Sequence, residues 1–182
     1  MKGFPRYLAA LAMANGLGSK ITWLFFPGML QESYAKWWDD FGTRPCAHEG
    51  IDICFFRKDK EIRPLVKNAK IPAIDNGLVL NRCEDFLGES LVIAHEGIHP
   101  PSPRVVFVYS HLEIEKKLVP GCRVEKEQVI ARTFDTRKKR SKLLSHLHLS
   151  CVELTDEIPL AGLDWELFPD REKVNLMNPL FI

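Results

Sequence analysis

From Cys46 to about Thr155 the chain is broken every few residues by turn-forming sequence, and no stretch keeps a long helical apolar period. The intervals are short apolar runs: Ile51–Phe56, Lys70–Ile74, Leu78–Arg82, Ser90–His95, Arg104–His111, Arg123–Val124, Val129–Thr133 and His146–Glu153. The separators carry Pro64, Asn76-Gly77, Gly88, Pro100-Pro101-Ser102-Pro103 and Pro120-Gly121. Asn-Gly between apolar runs predicts a tight hairpin, because both residues tolerate positive φ. Runs of this length and punctuation pair as strands. The expected fold is therefore mainly β, a small antiparallel sheet or sandwich.

Two flanks surround this core. Residues 1–45 read as an aromatic-rich N-terminal extension with short helices. It holds an apolar segment at Leu8–Ala14, then Trp23 to Gly28, then Tyr34 to Phe41 with Trp37 and Trp38 adjacent. Aromatics at this density are expected to pack on the β domain; an exposed sugar-stacking platform is the sharper alternative. Residues 46–182 form the β domain, ending from Pro159 to Ile182 in a loop with a short helix. Lys2 and Arg6 ahead of Leu8–Ala14 imitate a signal peptide. The apolar run is at the lower limit for one, however, and Pro5 and Arg6 interrupt its approach, which argues against export. No stretch approaches the roughly 20 apolar residues of a membrane span.

Composition narrows the chemistry. A formal net charge of +1 gives no global field for nucleic acid. The densest basic run, Arg137 to Arg140 with Lys142, has no interleaved aromatics and reads as a solvated loop. Five scattered cysteines without a C-x-x-C pair build neither a disulfide framework nor a zinc knuckle. They read as small buried hydrophobes in a reducing compartment.

The histidines are more telling. Of six in the chain, two stand in His146-Leu147-His148. On a strand they share one face, while Leu147, Leu149 and Cys151 take the other. Upstream, His48-Glu49-Gly50-Ile51-Asp52 places His48 and Asp52 on one face with only a glycine between them. Two imidazoles and a carboxylate suit catalytic zinc with a fourth position left open. His48, Asp52 and one histidine of the pair would supply that set. On the run Val105–Leu112, alternation puts Tyr109 and His111 on one face, opposite Val108 and Ser110. Histidines beyond the ligands could then move a proton or stabilise charge on a carbonyl. His95 and His99 read as structural.

Taken together, His48-x-Gly50-x-Asp52, Tyr109-Ser110-His111-Leu112 and His146-Leu147-His148 resemble the ordered motifs of the lysostaphin/LytM-type zinc metallopeptidases, over roughly residues 45–155. The resemblance implies a small antiparallel β scaffold with a groove. It implies one Zn2+ held by His48, Asp52 and His148, with His111 and His146 as catalytic histidines and Tyr109 as an auxiliary donor to the oxyanion. It implies a metalloendopeptidase acting on peptide bonds in peptidoglycan cross-links or stem peptides, which would place the protein at the cell envelope although the sequence looks cytoplasmic. The chain departs from the family in three places. Thr133 to Lys142 replaces a glycine-rich approach to the histidine pair, Glu127 stands where a glycine is common, and Leu149-Ser150 replaces the usual Phe-Glu. Two alternatives accompany this reading. One is an inactive zinc-binding scaffold acting as a regulator. The other is a biotinyl/lipoyl-type carrier, suggested by Pro120 to Ile130. A carrier needs a lysine at a hairpin tip, and Asp75-Asn76-Gly77 has none.

Overall fold

The computed structural model describes residues 3–97, 104–155, 158–168 and 170–181. One helix, α1 (Phe4–Ala14), carries Pro5 in its first turn, where a missing N–H breaks no helical bond. The strands are β1 (Thr22–Leu24), β2 (Ile51–Ile53), β3 (Phe55–Lys58), β4 (Glu61–Pro64), β5 (Lys70–Pro72) and β6 (Gly77–Glu84), followed by β7 (Glu89–His95), β8 (Val105–Ile114), β9 (Arg123–Val124), β10 (Val129–Thr133), β11 (Leu147–Leu154) and β12 (Val174–Met177). The fold is mainly β and antiparallel. The large sheet runs β12-β11-β8-β7-β6-β9, with β2 paired to β11 and β10 bridging β8 and β5. A small sheet, β1-β3-β4, stands beside it.

Both faces of the central strands are covered, which explains why β8 reads as an almost unbroken apolar run. On one face Leu91, Ile93, Phe107, Tyr109, Leu147 and Leu149 pack in a core that includes Phe4, Tyr7 and Leu11 of α1. On the other, Val92, Val106, Val108 and Val152 pack against Leu163, Phe168 and Val174 from the C-terminal segment. A third cluster joins Met29 and Trp37 of the N-terminal stretch to Cys54, Leu87 and Leu143. Asn15 follows α1 and pairs with the Lys70 backbone through both its amide atoms, each at 2.8 Å. No helix among the described residues is long and apolar enough to cross a membrane.

Several expectations need correction. Asn76-Gly77 closes no hairpin: β5 pairs with β10, whereas β6 pairs with β7 and β9. Neither residue has positive φ. Gly77 serves close packing instead, since a Cβ there would lie 2.6 Å from the Ala94 carbonyl oxygen. The tight hairpin falls at Asp59-Lys60, with φ of 51° and 70°, and joins β3 to β4. Three short strands, β1, β4 and β12, escaped the apolar pattern. β4 is exposed throughout, so it has no apolar face to announce it. The C-terminal tail, expected as loop and short helix, adds β12 along β11 before a single 3-10 turn at Pro179–Phe181. His99 and the separator Pro100–Pro103 lie outside the described residues.

Candidate metal centre

The centre begins with strand register. β2 pairs with β11 so that Asp52 and His148 are direct cross-strand partners. Gly50 permits that approach: a Cβ would collide with the Leu149 carbonyl oxygen and lie 2.6 Å from Ser150 Oγ. Its reason is thus the neighbouring backbone as much as the space between His48 and Asp52. His48 precedes β2 in a loop whose N–H and carbonyl bond to Ser33 and Glu32.

Three donor atoms converge. His48 Nε2 lies 3.0 Å from His148 Nδ1 and 3.2 Å from Asp52 Oδ1, and the last two are 2.9 Å apart. Ligands about 2.0–2.1 Å from a tetrahedral zinc stand about 3.3 Å from one another, so the triangle is near the required size. The outer atom of each side chain is also held. His48 Nδ1 faces the Leu30 carbonyl at 3.1 Å, which can only accept, so Nδ1 carries the proton and Nε2 the lone pair. His148 Nε2 lies 3.0 Å from the Ser150 hydroxyl, leaving Nδ1 for the centre. Asp52 Oδ2 accepts the Trp37 indole N–H at 2.6 Å, with Arg44 Nη2 at 3.5 Å. Three possible ligand atoms turned inward and three outer atoms anchored fit a cation with nitrogen and oxygen ligands. Burial would raise the Asp52 carboxyl, but the surrounding imidazoles, His48 foremost, hold it well below the usual range. Burial pushes the His148 imidazole down, against the pull of Asp52.

Two more histidines face this point. His146 Nδ1 donates to the Leu144 carbonyl at 2.8 Å, which leaves Nε2 as the acceptor, 3.5 Å from Asp52 Oδ1. Its ring stands edge-on to Trp37 at 5.2 Å and 4.9 Å from the ring of His111. His111 arrives by a route that alternation does not foresee. Between Glu89 and Leu91 on β7 the partner strand advances one residue further, from Leu112 to Tyr109. The extra residue is absorbed at a bulge where His111 has φ of 64°. A bulge re-aims a side chain, and this one turns His111 toward His146 and His148.

Tyr109 is thereby parted from His111. Its ring sits in the α1 side of the core, fully buried, and its hydroxyl accepts the Ile74 N–H at 3.0 Å and contacts His95 Nε2 at 2.7 Å. The structure brings His48, Asp52, His111, His146 and His148 together and leaves Tyr109 on the other face of the sheet. His95 bridges the Tyr109 hydroxyl and the region of Asn76, and burial pushes its imidazole down to about 4.

The five residues line a cleft of about 590 Å³ whose apolar wall includes Trp38, Phe86, Leu143 and Trp165. The basic run lies beside it, paired: Lys138 with Glu113, Lys142 with Asp39, and Lys139 on the Phe86 carbonyl at 2.8 Å. Motif reading missed four supporting groups: Trp37, the Leu30 carbonyl, Ser150 and Asp85. Trp37 was visible only as a buried aromatic, and Ser150 only as a departure from the family pattern. Nothing in the sequence marked Asp85.

No protein-family model and no curated protein matches this chain. Solved structures do. LytU is 23% identical over 75% of this chain and 81% of its own, with a TM-score of 0.44. A catalytic-domain mutant of the prophage-encoded M23 protein EnpA from Enterococcus faecalis is 17% identical over 89% of this chain and 91% of its own, with a TM-score of 0.46. Lysostaphin is 15% identical over 70% of this chain, which spans 49% of lysostaphin, with a TM-score of 0.46.

Proposed function

We propose that this protein is a zinc-dependent metalloendopeptidase acting on the peptides of peptidoglycan, cross-links or stems, and hence at the cell envelope. The observation that carries the metal is the donor triangle: Nε2 of His48, Nδ1 of His148 and Oδ1 of Asp52, each with its outer atom anchored. Two imidazoles and one carboxylate suit zinc better than the all-oxygen cations. The substrate class rests on the order and spacing of the three histidine motifs.

Bound there, zinc would supply Lewis acidity toward a peptide carbonyl and acidify water into a nucleophile at neutral pH. The chain's own residues do the rest. His146 presents Nε2 as an acceptor because the Leu144 carbonyl holds its other proton. Burial pushes His111 down to about 4, so it is neutral near pH 7 and able to take a proton. The aromatic wall orients an extended peptide and limits water around the reacting bond. Tyr109 has no part in this scheme, since its hydroxyl is engaged on the far face.

The test pairs metal content with turnover. Zinc-loaded protein should cleave purified peptidoglycan or short cell-wall peptides, read by mass spectrometry of the products, and His146→Ala should lose at least about 100-fold in kcat. Equal turnover by the two proteins would remove His146 from the chemistry. Zinc binding without cleavage of any peptide would favour the regulator.

A further inference from the structure

Behind His111 lies a carboxylate that none of the three motifs contains. Asp85 sits in the loop between β6 and β7, with its side chain only 2% exposed. Its Oδ1 is 3.2 Å from His111 Nδ1 and accepts the Leu87 N–H at 2.7 Å. Its Oδ2 accepts the backbone N–H of His111 at 2.8 Å and bonds the Ser90 hydroxyl at 2.9 Å. Ser90 in turn accepts the Trp165 indole N–H at 2.8 Å. Trp165 belongs to the C-terminal segment, so that segment is tied through Ser90 and Asp85 to His111.

These contacts fix His111 in two ways. An ionised carboxylate only accepts, so the ring nitrogen facing it must carry the proton, and Nε2 on the far edge keeps the lone pair. Burial would raise the Asp85 carboxyl, but the hydrogen bonds it accepts from His111 and Leu87 hold it below the usual range, so it is ionised. The backbone bond acts on orientation. His111 has φ of 64°, a conformation that disfavours most side chains, and the Asp85 carboxylate grips its N–H at that residue. That bulge is what sends the ring to the side of His148 instead of the side of Tyr109.

We propose that Asp85 is a positioning residue that holds His111 in its Nδ1–H tautomer, turned toward His146 and His148, with Nε2 left as the acceptor for a water proton. Its chemical half rests on the peptidase reading; its geometric half does not. In the hydrolysis, a water proton passes to His111 Nε2 as the C–O bond forms at the peptide carbonyl. The C–N bond then breaks and the proton leaves on the amine. His146 has only a neutral carbonyl behind it, so His111 is the better proton carrier.

Long-range nitrogen–proton NMR of the zinc-loaded full chain reads the tautomer directly. Wild-type His111 should show a protonated Nδ1 and an unprotonated Nε2. Asp85→Asn keeps the shape but offers an N–H to the ring, so the tautomer should reverse or mix. A carboxylate-to-amide change behind the histidine of a serine protease lowers kcat about 10⁴-fold by the same cause, and a loss of roughly 10²–10⁴ is expected here. KM should stay within about threefold and zinc content should not change. An Nε2–H tautomer in the wild type overturns the proposal even if the variant does not fold. So does an Asp85→Asn protein that retains zinc and wild-type kcat. A wild type that cleaves no peptide sinks the peptidase reading, while the tautomer still decides the positioning role.

Discussion

Replacing Trp37 by Phe removes the indole N–H from the centre along with part of a buried ring system. The indole N–H donates to Asp52 Oδ2 at 2.6 Å, and both groups are buried. The ring also packs edge-on against Phe55 at 5.6 Å and His146 at 5.2 Å. What is lost is a hydrogen bond to an ionised group, about 1.5–3 kcal/mol. Among the described residues, the cation paired with the freed oxygen is Arg44, at 3.5 Å, too long to replace it. Outer partners of metal ligands tune affinity by about 10–100-fold, which agrees with that range. Zinc affinity measured by competition with a chelating dye should therefore fall by that factor in Trp37→Phe. Repeating the change in an Asp52→Ala background should erase the difference, because the bond acts through Asp52. An affinity unchanged within about twofold would refute the view that the indole anchors the carboxylate, as would an equal loss in both backgrounds.

Three further outcomes follow from the same structure. Gly50→Ala drives a methyl group into the Leu149 carbonyl and Ser150 Oγ, and should lower stability by about 1–3 kcal/mol in denaturant titration. His95 is buried neutral, with its pKa moved from 6.5 to about 4. The unfolded chain binds the proton first as pH falls, so His95's contribution is complete above pH 6.5 and is lost on the way to about pH 4. The slope is about 1.4 kcal/mol per pH unit, and His95→Gln should flatten it in urea melts across that window. Glu127 is exposed with φ of 62°, so Glu127→Gly should raise stability by about 0.5–1 kcal/mol despite the added freedom of glycine.

Strand period carried the sequence far where pairing was regular. His146 and His148 converge, and Asp52 meets His148, because β2 and β11 pair without a bulge. The period failed at His111, where one extra residue on β8 relative to β7 put Tyr109 and His111 on opposite faces. That insertion depends on the register of two strands and leaves no local trace. The Asn76-Gly77 turn misled for a related reason, since its neighbours pair with strands distant in sequence. β4 lacks a buried face and so lacks a pattern. Trp37 matters through one bond to Asp52 and Asp85 through two to His111, and their positions come from packing that no motif encodes.

Whether His48, Asp52 and His148 hold one zinc ion is decided by anomalous diffraction at the zinc edge from zinc-loaded crystals. A single peak should stand about 2.0–2.2 Å from His48 Nε2, His148 Nδ1 and Asp52 Oδ1. No peak at that point, or zinc held by a different set of side chains, would contradict it.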